Sequence, residues 1–335
     1  MQELSLDKVY NILENFPLLK GYTLRSINGL RSVDNKDGKI KAVIDLPITE
    51  KESLDFLKKD ITSYMKKNNI DVDVELNSKQ AKELNSIKHY IAVMSGKGGV
   101  GKSFVSGLLA VYLERNGYNV GLLDADITGP SIPKMFGIKS DKTRVLEKAI
   151  LPAFSKKDIK IMSTNLLLPE EDDAVIWRGP LISNVITQFF NDVLWGKLDY
   201  LIIDLPPGTS DASLTVLQTP PIDGVVMVFT PQDLTNMIVR KAVNMVGKLN
   251  KSIIALVENM SYFEHKGSDE KINIFGASKI EKMKELTSCD IGIKLPLNPK
   301  FSEYADGGNI EELDYPPFDE FAKKIAELVK DKKTS

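Results

Sequence analysis

One cysteine, Cys289, stands in 335 residues. That scarcity excludes an intrachain disulfide framework and any Cys-x-x-Cys metal site contained in one chain. Long apolar runs are missing too: nothing approaches the ~20 residues that a membrane-spanning helix requires. Residues Met1 to Asn15 carry no basic-then-apolar leader, so the expectation is a soluble cytoplasmic protein without a membrane partner. Charge of one sign is also lacking, because 44 Lys and Arg face 46 Asp and Glu for a net charge of -2. No global basic field calls for nucleic acid, and none is expected as a partner. Internal repeats and low-complexity tracts are absent. What remains is a chain long enough for two domains, each able to bury its own core.

The most informative stretch is Gly96-Lys97-Gly98-Gly99-Val100-Gly101-Lys102-Ser103, which follows the apolar run Tyr90 to Met94 and precedes Phe104 to Leu113. Strand, glycine loop and helix follow one another there. The spacing satisfies G-x-x-x-x-G-K-[ST]: glycines let backbone N–H groups wrap a polyphosphate, Lys102 reaches the terminal phosphates and Ser103 ligates Mg2+. The positive end of the following helix strengthens the anion site. A flexible Gly-rich turn would leave Lys102 and Ser103 unexplained.

Residues 1–77 read as a small α+β unit. A helix at Leu6 to Asn15 leads to the stretch Tyr22 to Val33, which a turn at Asp34 to Gly38 separates from the alternating strand Lys39 to Leu46, a hairpin signal in an α-β-β-α-β order. Leu54, Leu57, Ile61, Tyr64 and Met65 then recur at helical spacing, and Val72 to Leu76 closes the unit as a strand. The polar residues 78–87 read as a linker. Beyond them, over 88–335, strands alternate with helices, which predicts an α/β fold: a doubly wound, mostly parallel sheet with right-handed crossovers. Candidate strands are Ile91 to Met94, Val120 to Leu123, Ile159 to Met162, Tyr200 to Ile203, Val225 to Phe229, Ile253 to Val257 and Ile291 to Lys294. Ligands of such sheets gather at the carboxyl ends of the strands.

Two of those ends carry carboxylates. Asp124-Ala125-Asp126 follows the strand at Val120, and although Asp-x-Asp also serves as a turn cap, its place beside the phosphates favours catalysis. Asp204 ends the strand at Tyr200 in the position of a Walker B aspartate, holding magnesium. The Leu205-Pro206-Pro207-Gly208 turn that follows can bring the Gly208 N–H to a γ-phosphate, so that ATP and ADP set the loop differently.

Lys97, a second lysine inside the loop, makes it resemble the deviant P-loop of the MinD, ParA and Mrp ATPases. With Asp124 to Ser131, Trp177-Arg178-Gly179-Pro180, Asp204 to Asp211 and Val257 to Phe263, residues 88–335 look like the Mrp/ApbC family of ATP-dependent iron-sulfur cluster carriers. Several expectations come from the resemblance alone. The protein would be a homodimer in which Lys97 reaches across to the partner's nucleotide; Asp126 would position the attacking water, with Asp124 in support. Asn259 would hydrogen-bond adenine, an amide being both donor and acceptor, with the Leu295-Pro296 backbone nearby. Slow ATP hydrolysis would switch binding of a client apoprotein. Residues 1–77 resemble, in layout, the iron-sulfur-assembly domain often fused ahead of Mrp ATPases.

The chain departs from the family in two places. Carriers place Cys-x-x-Cys one residue after the Ser-Tyr-Phe element, so that two chains supply four thiolates to one [4Fe-4S] centre. Here His265 and Ser268 fill those positions. Neither replaces soft thiolate sulfur, so a cluster is doubtful and the alternative is a cluster-free regulator or adaptor. Cys289 reads as a small buried hydrophobe. At the second departure Phe104 replaces the family's threonine, which removes a hydroxyl from the α-phosphate side and leaves the backbone N–H. A MinD-like membrane helix at Phe318 to Val329 is disfavoured by Asp319, Glu320 and Glu327, and a last helix packed on the sheet is expected. ParA-like DNA binding lacks a clustered basic face, and reductase-like electron transfer lacks its cysteines.

Overall fold

The computed structural model describes residues 5–19, 21–36, 39–127, 129–139, 144–167, 179–232, 237–264 and 270–334. They form two compact units.

The first unit comprises Met1–Ile87 together with Arg144–Pro152 and Asn191–Leu198. Its chain runs α1 (Leu6–Glu14), β1 (Pro17–Leu19), β2 (Tyr22–Thr23), β3 (Leu30–Lys36), β4 (Lys39–Leu46), α2 (Lys51–Lys67), β5 (Val72–Ser78) and α3 (Ala81–Leu84). β3 pairs antiparallel with β4 and β5 lies parallel to β4. The apolar faces read from the sequence meet here: Val9 and Leu13 of α1, Ile61 and Met65 of α2, and Ile44, Leu46 and Val74 of the sheet are all buried. The stretch Tyr22 to Val33 is two strands, not one. Asn28 adopts φ +58° and a Cβ on Gly29 would stand 3.0 Å from the Asp45 carbonyl, so the chain turns between them. Residues 78–87 are structured, because their polar groups are engaged. Gln80 and Glu83 form a capping box on α3, and Asn85 donates to the Val193 carbonyl at 2.9 Å.

The second unit runs β6 (Ser86–Ser95), α4 (Lys102–Arg115), β7 (Val120–Asp124) and α5 (Ile132–Met135); the hairpin β8 (Arg144–Leu146) and β9 (Ala149–Leu151) belongs to the first unit. β10 (Ala153–Phe154), β11 (Lys160–Ser163), α6 (Gly179–Asn191), β12 (Lys197–Asp204), α7 (Asp211–Gln218), β13 (Gly224–Phe229) and α8 (Met237–Lys248) follow. Then come β14 (Ile253–Glu264), β15 (Lys271–Ile272), α9 (Ile280–Thr287), β16 (Gly292–Pro296), α10 (Pro299–Asp306) and α11 (Pro316–Thr334). The sheet has the order β10-β11-β7-β12-β6-β13-β14-β15, with β16 on β14. β11, β7 and β12 are mutually parallel, as are β6, β13, β14 and β16; β10 and β15 pair antiparallel at the margins. This is the mostly parallel α/β sheet that the sequence predicts.

β7, β11 and β13 are buried at every position, as strands covered on both faces must be. α4 is buried nearly all round and forms the middle of the core, with Phe318, Ile325 and Val329 of α11 packed in the same cluster. The apolar face of the last helix is therefore occupied by the sheet domain. No helix among the described residues is long and apolar enough to cross a membrane.

All seven candidate strands are present, and β6, β12 and β14 run well past their apolar runs, β14 the furthest. β14 does not stop at Val257 but continues through a break in register between Glu258 and Tyr262, where Met260 adopts φ +54°. Such an irregularity re-aims side chains without ending the strand.

Candidate functional site

The glycine loop joins β6 to α4 at the carboxyl edge of the sheet. Gly101 has φ +82°, and a Cβ there would lie 2.2 Å from Nδ2 of Asn259. Gly96 is confined differently: a Cβ would meet Cγ2 of Val239 at 2.9 Å. The glycines are thus required both by backbone conformation and by close neighbours.

Lys102 opens α4 and is 6% exposed, while Asp204 at the end of β12 is fully buried. Nζ of Lys102 stands 2.7 Å from Oδ2 of Asp204. The Ser103 hydroxyl donates to the same oxygen at 2.6 Å, and Ser106 donates to Oδ1 at 2.6 Å. A buried charge must be paired and hydrogen-bonded, and these three groups engage both oxygens of Asp204. Ser106 lies outside the loop motif. Its only signal in the sequence is helical spacing, since a residue four after Lys102 faces the same side of α4.

Asp124 ends the neighbouring strand in register with Asp204. Its oxygens accept from the backbone N–H groups of Asp126 (3.2 Å), Ser131 (3.1 Å) and Ile132 (3.2 Å), and from the Ser163 hydroxyl at 3.4 Å. Asp124 therefore fixes the loop that carries Asp126. Burial and the adjacent Asp204 carboxylate push its pKa up to about 8, against the opposing pull of Lys102 and the Ile132 N–H.

A cavity of ≈ 320 Å³ opens over this corner, lined among others by Lys97, Gly99, Lys102, Ser103, Asp126 and Pro207. Lys97 and Asp126 are half-buried. Gly208, at φ +81°, donates its N–H to the Ser95 carbonyl at 3.0 Å. Ser103 and Asp204 present hard oxygen donors side by side, the donor type Mg2+ selects, so these residues fit that ion. A nucleotide-bound magnesium would neutralise charge on phosphate oxygens there.

A second cavity of ≈ 190 Å³ adjoins it, lined by Gly101, Phe104, Asn259, Pro296, Phe301 and Asp306 among others. Gly101 and Phe104 line both cavities. Asn259 is placed by the irregular turn of β14: its Nδ2 donates to the Val100 carbonyl at 2.9 Å and its Oδ1 accepts from the Met260 N–H at 2.9 Å. Buried Glu258 ties that turn down, accepting from the Ser261 hydroxyl and from the Lys279 N–H, each at 2.5 Å. Of the residues singled out in the sequence, Lys97 to Gly99, Gly101 to Phe104, Asp126, Asn259 and Pro296 line one or both cavities, whereas Gly96, Val100, Asp124, Asp204 and Gly208 are not among the lining residues.

Other expectations fall elsewhere. Trp177 and Arg178, and His265 and Ser268, lie outside the described residues. Cys289 is buried, donates to the Ile291 carbonyl at 3.6 Å and has its thiol pKa raised by burial. It lines a separate cavity of ≈ 570 Å³ with Leu286 and Lys332. Among the described residues no cluster of three or more His, Cys, Asp or Glu is arranged to hold a metal ion.

A parallel sheet whose first loop wraps a lysine and serine against a strand-end aspartate defines a P-loop nucleoside triphosphatase. The chain belongs to the ParA-type NUBPL iron-transfer P-loop NTPase family, whose profile matches residues 86–331. It is similar to an iron-sulfur cluster carrier protein of Clostridium perfringens, 45% identical over 234 residues that make up 68% of this chain and 82% of that one. A cytosolic Fe-S cluster assembly factor NUBP2 homolog of Dictyostelium discoideum is 41% identical, covering 70% of this chain and 90% of its own. Among solved structures, a nucleotide-binding protein from Archaeoglobus fulgidus in complex with ADP is 41% identical with a TM-score of 0.64, covering 71% of this chain and 94% of that chain.

Proposed function

We propose that the protein binds and hydrolyses MgATP as a homodimeric cytoplasmic switch that serves iron-sulfur protein maturation by engaging a client apoprotein. The observation that carries this reading is the buried contact of Lys102, Ser103 and Asp204. Without nucleotide the lysine neutralises the aspartate. Phosphate would draw Lys102 away and release Asp204 to share the metal with Ser103. Asp126, on the loop that Asp124 anchors, would orient the attacking water, and Lys97 with Lys102 would stabilise charge on the transferring group. The Gly208 N–H would exchange the Ser95 carbonyl for a γ-phosphate oxygen, so hydrolysis would release that loop. Asn259 and the Pro296 backbone would hold the adenine.

Relatives named as cluster carriers and assembly factors support the maturation role. The donor set does not fit a carried [4Fe-4S] cluster: one chain supplies one thiol, so two chains supply half of the four thiolates required, and Cys289 is buried. That favours a second reading, a cluster-free ATP-dependent adaptor. Anaerobic reconstitution with iron and sulfide separates the two. The adaptor reading expects ATP turnover with no stoichiometric cluster; a bound cluster of four irons per dimer would restore the carrier. Dimerisation is tested by light scattering with ATP against ADP, where ATP should double the mass and Lys97→Ala should prevent it. An ATP-bound monomer would defeat the switch.

A further inference from the structure

Phe104 stands at the third position of α4, where the resemblance expects a threonine. Its ring stacks on Phe301 with centroids 5.2 Å apart and planes at 27°. Phe301 is itself buried and held edge-on by Tyr315 at 5.4 Å. Phe104, by contrast, is half-buried and lines both the phosphate cavity and the adjoining one. A ring that served packing alone would have no reason to leave its surface at the junction of two cavities.

The second cavity has the chemistry of a base slot. Phe104, Met260, Pro296, Leu297 and Ala305 give it apolar walls, and among the described residues its one charged lining residue is Asp306, an acid. Among the described residues no lysine or arginine lines it, so the slot repels phosphate, while the neighbouring cavity with Lys97 and Lys102 attracts it. The polarity alone orients a nucleotide with its heterocycle against the Phe104 side.

We infer that Phe104, backed by Phe301, is an aromatic wall on which the nucleobase packs. A threonine here would offer its hydroxyl to the α-phosphate; the phenylalanine offers its ring to the base instead. This makes Phe104 a specificity residue for the base-bearing end of the ligand, and it rests on the nucleotide reading given above. Flat heterocycles stack on aromatic rings whatever their hydrogen-bond pattern. Phe104 therefore separates nucleotides from base-less polyphosphates, while discrimination between bases falls to polar groups.

Calorimetric titration with MgATP and with magnesium tripolyphosphate, which has phosphates but no base, tests the inference. In Phe104→Leu and Phe104→Thr the preference for ATP over tripolyphosphate should fall about tenfold. Phe104→Tyr should restore it. Phe104→Leu keeps an apolar side chain of similar size, so a packing role would be rescued by leucine and a stacking role would not. Phe104→Trp adds a spectroscopic signature: its fluorescence should be quenched by ATP and not by tripolyphosphate. A Phe104→Leu protein with the parent's ATP-to-tripolyphosphate ratio would overturn the wall alone. A parent that binds neither compound would overturn the nucleotide reading and the wall with it.

Discussion

The two cavities of the site are built in opposite ways. Around the phosphate cavity, Lys102, Ser103, Ser106 and Asp204 are buried or half-buried polar groups that satisfy one another in the absence of ligand. Around the base cavity the walls are largely apolar, and they are held by ring stacking and by one amide, Asn259, bonded to the loop backbone. Ligand at the first must replace existing bonds, whereas ligand at the second covers exposed apolar surface. On the proposed function, the first would sense which phosphates are present, and the second would retain the nucleotide whichever phosphates it carries.

Three substitutions and one titration sharpen that contrast. Asp204→Ala strands the buried Lys102 charge, which should cost about 3 kcal/mol of stability without nucleotide and abolish magnesium-dependent turnover. Urea unfolding and phosphate release measure the two effects. Gly101→Ala forces a Cβ to within 2.2 Å of Asn259 Nδ2 at φ +82°, for a loss of about 2 kcal/mol. Adding Asn259→Ala should recover part of it, since the two sites share one contact. A strictly additive double mutant would contradict that coupling.

The titration concerns Asp124, whose folded pKa of about 8 lies above its ordinary 3.8. Between those values the folded state holds a proton that the unfolded chain has released. Its contribution is complete below about pH 4 and lost as pH rises through about 8, with a slope of at most about 1.4 kcal/mol per pH unit. Unfolding of the nucleotide-free protein in EDTA from pH 5 to 8 should follow that slope, and Asp124→Asn should flatten it. Phe104→Leu, at the apolar cavity, should leave it unchanged. Smallest is Ser106→Ala, which removes one of the three partners of Asp204 for about 1 kcal/mol, read by thermal unfolding.

Legibility in the sequence follows the same division. The phosphate side is visible because its residues are contiguous: Gly96 to Ser103 forms one motif, and Asp124 and Asp204 each end an apolar strand. The central strands β7, β11 and β13 can be read because doubly covered strands are apolar at consecutive positions; β16, exposed at Gly292 and Lys294, lacks that signal. The base side is mostly hidden, because Phe104, Asn259 and Phe301 are brought together by three separate elements. No local pattern announces that Asn259 sits against Gly101. Phe104 stands out in the sequence only for the hydroxyl it lacks, and its stacking depends on Phe301, almost two hundred residues away. The extension of β14 past Val257 is concealed because Glu258 and Asn259 look like the end of a strand, while their polar groups are in fact satisfied by Ser261, Lys279 and Val100. Nor does a run of polar residues at 78–87 disclose that its side chains cap α3 and bond Val193.

On the proposed function, Lys102 alternates between Asp204 and the nucleotide's phosphates. Steady-state phosphate release from MgATP by the parent and by Lys102→Ala, in the presence and absence of EDTA, tests it directly. The parent should turn over slowly, EDTA should abolish that turnover, and the variant should lose at least about 100-fold. A Lys102→Ala protein that hydrolyses ATP as fast as the parent would contradict it.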